Sequence, residues 1–287
     1  MVDRLARLTV GEGSKTKCEF PTTELISMEV YRKTGNQWSE ATIYRDLMSL
    51  NFTCVVRPHV AYARQKYVPS TRVKCCEALL AGVDVDWLIF SDEKWFDTND
   101  HGNRKQFVPK GEKPLPRVST QHTVTAHFWG AIGNGFRMLI ELPADHGLRA
   151  NSGTYIKNVL AKYAVKVKSP EHRGKPYVLQ QDGLKIHVSY ESLGFLDTKN
   201  VAHLCKGEWP AWSPDLSPIE NVWRLMHFLM NPMFKKDLPA AEQKAELIAN
   251  VWRAWSMISQ ETLDEYVLSA KNRLMECIAL KGEWTNH

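Results

Sequence analysis

The chain has little cysteine and none of it in a zinc pattern. Six cysteines stand at 18, 54, 75, 76, 205 and 277. None forms a C-x-x-C pair and no Cys/His spacing suits zinc, which excludes a zinc-stapled module. Cys75 and Cys76 are adjacent, a poor arrangement for a structural bridge, so reduced thiols in an intracellular protein are expected. No apolar run reaches the roughly 20 residues that span a bilayer. The opening MVDRLARLTVGEGSK lacks the apolar core of a secretory signal. The expectation is a soluble protein, cytosolic or nuclear, with no membrane partner. Internal repeats and low-complexity tracts are also absent, which excludes a solenoid or a compositionally disordered chain.

What is there is an ordinary globular composition. Of 287 residues, 44% are hydrophobic and 24% charged. That is enough for one sizeable core and a smaller module. A net charge of +5 permits a polyanionic partner without requiring one.

Residues 1 to about 20 carry no strong period. TTELISMEVYRK (22–33) reads as a short helix, Thr34-Gly35-Asn36 as a turn, and a second helix starts after Ser39, an N-cap, and runs to about Ser49. Its apolar positions Ile43, Leu47 and Leu50 share a face; Thr42, Tyr44, Arg45 and Ser49 lie off it. Two short helices about a glycine turn suggest a helix-turn-helix, with the second helix offered to a DNA groove. Thr42, Tyr44 and Arg45 are the candidate groove residues. Residues 53 to 75 follow with no acid at all. Arg57, Arg64 and Lys66 in that stretch are candidate phosphate contacts; a solvated surface segment accounts for them equally well.

From residue 85 the texture changes. VDWLIFSDEKWFD is apolar to Phe90 and then acidic. RKQFVPKG (104–111), TVTAHFWGAIG (123–133), GFRMLIELP (135–143), PYVLQQDG (176–183) and VAHLC (201–205) are strand candidates. Residues 152–168 and 237–281 read as helical, as does the segment after Pro218 up to Asn231. Strands first, then strands alternating with helices, imply an α/β fold: a mixed sheet with flanking helices. The expected domains are 1–56 (helix-turn-helix, incomplete), 57–84 (basic linker) and 85–287 (the α/β domain).

Three acids stand out. Asp92 ends the first strong strand, Asp182 ends a short buried-type strand, and Glu220 sits in the first turn of a helix. Carboxylates gathered at one sheet edge repel each other, and a hard divalent cation, Mg²⁺ or Mn²⁺, relieves that repulsion. Two such ions suit phosphodiester chemistry. Taken singly, each acid has a plainer account. Asp92 serves as a strand-end residue, with Glu93 as the inward one instead. Asp182-Gly183 serves as a turn. Glu220 completes an S-x-x-E capping box with Ser217. Asp97, Asp100 and Asp215 compete nearby.

The contexts of the acids carry a resemblance. FSDEKWF (90–96), QQDGLKIH (180–187) and WPAWSPDLSPIENVW (209–223) look like the three signature blocks of mariner-type DNA transposases. The third is close and specific. The second departs from the usual Q-D-N-A-P-x-H by carrying Gly183, Leu184 and Lys185, while His187 keeps its place. SEATIYRDLMSLNF resembles the family's second helix-turn-helix, and residues 269–285 its C-terminal helix and tail. The family carries two helix-turn-helix units; one fits before residue 60 here, so an N-terminal module is expected to be missing. The resemblance implies a ribonuclease H-like domain with Asp92, Asp182 and Glu220 as catalytic and metal-binding triad, using Mg²⁺ or Mn²⁺. It implies cut-and-paste transposition in the nucleus: cleavage of double-stranded DNA at terminal inverted repeats and strand transfer into TA target sites, by a homodimer. The alternative is a catalytically inactive, transposon-derived DNA-binding protein, motivated by the short N-terminus and the altered second block.

Overall fold

The computed structural model describes residues 23, 26, 27, 30, 35, 36, 38–50, 52–56, 68–98, 105–110, 123–143, 151–230, 238–285 and 287. The chain divides into two compact units, Met1–Ala63 with His101–His122, and Arg64–Asp100 with Thr123–His287.

In the first unit, helix α1 (Glu40–Ser49) starts where the sequence places it. The Ser39 hydroxyl accepts from the Thr42 amide at 3.2 Å, satisfying one of the free N–H groups of the first turn. Ile43 and Leu47 are buried and cluster with Ile26, Val30 and Phe52. Strand β1 (Phe52–Val56) then pairs antiparallel with β3 (Lys105–Pro109), from Phe52↔Pro109 to Val56↔Lys105. The 104–111 strand candidate therefore belongs to this two-stranded ribbon and not to the large sheet. The β-branched Thr53, Val55 and Val56 favour extended backbone, which the basic residues beyond them obscure in a reading by charge.

The second unit opens with helix α2 (Pro69–Gly82), in a stretch without a clear apolar period. Its sheet contains β2 (Leu88–Asp97), β4 (Thr125–Gly133), β5 (Phe136–Leu142) and β6 (Val178–Gln180) in the order β5-β4-β2-β6. β4 runs antiparallel to β5 and β2, whereas β6 is parallel to β2. VAHLC contributes only an isolated bridge, Leu179↔His203. β4 and β5 are joined by Asn134-Gly135, where φ is +66° at Gly135 and a Cβ would be penalised.

Alternation along the strands sorts two cores. Leu88, Phe90, Phe96, Phe128 and Ile132 face α5 (Ile219–Leu229), α6 (Ala240–Met257) and α7 (Gln260–Ala279). Ile89, Trp129, Ala131, Phe136 and Ile140 face a helical segment at 152–167, α3, and α4 (Tyr190–Thr198). α3 is α-helical over Ser152–Tyr155 and Ala161–Val167 with a π-helical turn at Ile156–Leu160 between them. The long C-terminal helical region is two helices. Arg137 ends the first by donating to the Ile258 carbonyl at 2.6 Å and to the Trp255 carbonyl, with its guanidinium over the Trp255 ring. The Ser259 hydroxyl then caps α7. Helices on both faces of a mixed sheet give the α/β architecture the element order implies. Among the described residues no helix is long and apolar enough to cross a membrane.

Candidate active site

The three singled-out acids line one cleft of about 340 Å³. Asp92, Asp182 and Glu220 share its wall with Ser91, Gln180, Leu184, Trp209 and Trp212. Asp92 does not end its strand. β2 continues to Asp97 because β4 pairs with it as far as Asp97↔Thr125. The apolar run stops at Phe90 although Ser91 is still buried, and burial becomes partial from Asp92. β6 pairs with β2 through Phe90↔Gln180 and then stops, so the same parallel register carried two residues further sets Asp92 beside Asp182. β2 outruns its short neighbour, and the cleft opens where that neighbour ends.

Glu220 reaches the cleft from the first turn of α5, whose Ile219, Val222, Trp223 and Met226 are buried. The capping-box account of this acid fails. Ser217 closes the preceding 3₁₀ turn, Pro214–Leu216, and α5 has no side-chain cap. The Glu220 amide bonds to the Ser217 carbonyl at 3.2 Å, not to its hydroxyl. Proline at the helix entry fixes the backbone direction and leaves the Glu220 carboxylate for the cleft.

The electrostatics follow from crowding. Burial, and then the negative charge of Glu220, push the Asp92 carboxyl up to about 7, against the pull of the Trp223 indole. Burial also raises Glu220, and Lys94 draws it partly back. Asp182 goes the other way. Its partial burial pushes it up, but the hydrogen bond and charge of His187 outweigh that and hold it below the ordinary carboxylate range. Burial pushes His187 down, yet the carboxylates of Asp182 and Glu93 lift it to about 9. His187 is thus a cation at neutral pH, clamped by Asp182 Oδ1 at 2.5 Å and Glu93 Oε1 at 3.5 Å.

Several functional contacts are invisible in the linear order. The Trp223 indole N–H donates to Asp92 Oδ2 at 2.9 Å. It fits because Gly130, paired with Asp92 across the sheet, has no side chain: a Cβ there would lie 2.3 Å from the indole. Glu93 points to the opposite face from Asp92, where His187 and His127 lie against it. Tyr155 donates to Gln181 Oε1 at 2.6 Å and packs its ring 4.5 Å from that of His187. The π-helical turn adjoins Tyr155, and such turns are frequent at functional sites. Of the competing acids, Asp97 does not line the cleft and Asp100 lies outside the described residues. Asp215 is buried in an ion pair with Arg72 at 2.7 Å. Among the described residues no three His, Cys, Asp or Glu side chains are already drawn together as a metal cage.

Of the DNA-contact candidates, Tyr44 and Arg45 are exposed on α1 and Thr42 is partly covered. Arg45 donates to the Ala41 carbonyl and the Thr42 hydroxyl, each at 3.4 Å. Arg57, Arg64 and Lys66 lie outside the described residues.

No protein-family model matches the chain. It is 28% identical over 244 residues to the transposable element Tc3 transposase of Caenorhabditis elegans, spanning 81% of this chain and 70% of that protein. It is 27% identical over 114 residues to the Tc1 transposase of the same organism, spanning 40% of this chain and 38% of the relative. The Mos1 transposase paired-end complex with the left transposon end aligns over 99% of this chain and 79% of that one, with TM-score 0.60 at 16% identity. The Mos1 strand transfer complex aligns over 100% of this chain and 79% of that one, with TM-score 0.59 at 14% identity. The Mos1 catalytic domain with raltegravir and Mn covers 80% of this chain and all of that one, with TM-score 0.52 at 17% identity. The fold is therefore that of the Mos1 transposase, whose catalytic domain is ribonuclease H-like.

Proposed function

We propose, from its similarity to the Tc3 and Tc1 transposases, that the chain is a DNA transposase that cuts at transposon ends and transfers the freed strand into target DNA. The observation that carries this reading is the shared cleft: Asp92, Asp182 and Glu220, far apart in sequence, all line it. Paired-end and strand-transfer complexes of Mos1 support a reaction of this kind and double-stranded DNA as the partner. The paired ends favour a homodimer. Terminal inverted repeats and TA targets, with the nucleus as the site of action, complete the proposal.

The donor set fits a divalent cation. Three carboxylates are hard oxygen ligands, and two of them are held above their ordinary pKa partly or wholly by burial, a strain that a cation would relieve. Mos1 structures with Mn and with Mg point the same way. Asp92, Asp182 and Glu220 would hold the ion; Mg²⁺ or Mn²⁺, when bound, supplies positive charge for the attacking and leaving oxygens of the phosphodiester.

The residues of the chain do the rest. Trp223 occupies one oxygen of Asp92 and fixes the rotation of its carboxyl group. His187 does the same for Asp182 and is itself held by Glu93. Thr42, Tyr44 and Arg45, with Arg57, Arg64 and Lys66, are proposed to contact DNA.

The direct test is the purified chain on a plasmid carrying the genomic DNA that flanks its reading frame. Cleavage is expected with Mg²⁺ or Mn²⁺ and is expected to vanish in Asp182→Asn. Cleavage that survives this substitution removes the assignment. Binding with no cleavage in any divalent metal favours the catalytically inactive DNA-binding protein. A milder variant, His187→Ala, releases Asp182 and removes the contact of Glu93 with that imidazole. The metal concentration for half-maximal cleavage is expected to rise roughly 10–100-fold, read by Mn²⁺ titration.

A further inference from the structure

Asp215, in the 3₁₀ turn just before α5, does not line the cleft and is nonetheless heavily bonded. Arg72 grips it with two prongs, Nη1 to Oδ1 at 2.9 Å and Nη2 to Oδ2 at 2.7 Å, and also reaches the Ser213 hydroxyl at 2.9 Å. Both charged side chains are buried, 1% and 2% exposed. Arg72 is the fourth residue of α2, an end of a helix that disfavours a cation. There Asp215, the Ser213 hydroxyl and the Glu283 carbonyl receive its donors.

The C-terminal tail joins the same point. The Thr285 amide donates to Asp215 Oδ2 at 3.0 Å, and its hydroxyl to the same oxygen at 3.2 Å. The Glu283 carbonyl accepts from Arg72, and the Trp284 ring lies 5.7 Å from the guanidinium. Gly282 turns the tail with φ +86° so close to α2 that a Cβ would meet the Pro69 carbonyl at 2.1 Å. From α7, Arg273 donates to the Asp215 carbonyl at 3.3 Å and to Asn221 Oδ1 at 3.0 Å. Asn221 is the neighbour of Glu220. Three remote segments thus converge on both flanks of Glu220, and no side-chain cap does that work.

We propose that Arg72, Arg273 and Thr285 are positioning residues for Glu220, acting through Asp215 and Asn221, so that the tail after α7 and the first turn of α2 jointly aim the third acid of the cleft. The proposal rests on the metal-dependent reading of that cleft. It makes residues 282–285 part of the site's machinery although none of them lines it.

The test is Mn²⁺ binding by the full chain, followed by the loss of the free-ion paramagnetic resonance signal, alongside thermal melting. Wild type is expected to bind Mn²⁺ and Glu220→Gln to lose most of that binding. Arg72→Lys keeps the charge but loses the fork, and Gly282→Ala shifts the tail without touching any clasp residue. Each is expected to weaken Mn²⁺ about 3–10-fold. For each variant, excess Mn²⁺ is expected to restore the cleavage rate. Thr285→Ala, which keeps the backbone bond, is the mildest variant and serves if the others do not fold. Lower melting temperatures with unchanged Mn²⁺ affinity would show a purely structural clasp and overturn the proposal. If Glu220→Gln leaves Mn²⁺ binding intact, the reading of the cleft itself falls, a distinct outcome.

Discussion

An Asp92→Asn chain is expected to lose DNA cleavage below detection and yet to melt at a higher temperature than wild type at pH 8 without divalent metal. The two effects share one cause. Asp92 is half-buried beside Glu220, and its loss of solvent, with the charge of Glu220, pushes its carboxyl up to about 7. In the unfolded chain an Asp titrates near 3.9. A raised folded-state pKa means that the folded state holds the proton more tightly. The associated stability is fully present below about pH 4 and is lost as pH rises through about 7. At about 1.4 kcal/mol per pKa unit, the loss is on the order of 2–4 kcal/mol. Asparagine never ionises, still accepts from the Trp223 indole, and escapes the loss. The difference in melting temperature between the two chains should therefore grow from pH 4 to pH 7 and level off above it. Mg²⁺ should raise the melting temperature of wild type at pH 8 and leave Asp92→Asn nearly unchanged. A variant that melts lower at pH 8, or that still cleaves, contradicts the placement of this charge.

Gly130→Ala is also expected to damage activity, although glycine carries no chemistry. The new methyl would sit 2.3 Å from one ring carbon of Trp223 and 2.8 Å from the next. The indole is 1% exposed and packs within the core on that face of the sheet. Overpacking of this kind costs typically 1–3 kcal/mol, which corresponds to a melting temperature lower by roughly 2–10 °C for a domain of this size. The displaced indole also gives up its 2.9 Å bond to Asp92. Cleavage is expected to fall roughly 10–100-fold, by analogy with other supporting contacts of metal ligands. Trp223→Phe combined with Gly130→Ala separates the two effects. The smaller ring should recover much of the stability, read by calorimetry, while cleavage in a single-turnover assay stays low because the N–H is gone. A Gly130→Ala chain with unchanged melting and cleavage would show that the indole has room to move.

The same pair shows where reading a sequence stops. Asp92, Asp182 and Glu220 could be singled out because each lies in a recognisable phrase, and their meeting in one cleft follows from strand register and a helix start. The bond from Trp223 to Asp92 spans 131 residues and depends on a missing side chain on a third segment. Nothing local marks it, except that a glycine inside an apolar strand is a known sign of close approach. The ion pair of Arg72 with Asp215 spans 143 residues and is equally silent, since an arginine among basic neighbours reads as surface.

At the level of elements, strong periods were legible. The α/β order, the start of the strand at 88, the strands at 125–142 and the helix at 152–167 follow from the apolar pattern, whereas the continuation of β2 beyond Asp92 does not. Pro69–Gly82 and Tyr190–Thr198 did not stand out. In α2 the buried positions include Arg72, Cys75 and Cys76, and in α4 they are only Ser192 and Leu196, so neither shows a clear apolar stripe. His187 could be noted by its position after Asp182, but not its clamp to Glu93, because which face Glu93 takes depends on the pleat.

The slot at Gly130 also bears on gene decay. A glycine codon becomes an alanine codon through a single base substitution, and the result keeps all three acids. Genomic copies scored as competent by their carboxylates alone would therefore include silent ones, and the census of live elements should be taken at this glycine as well.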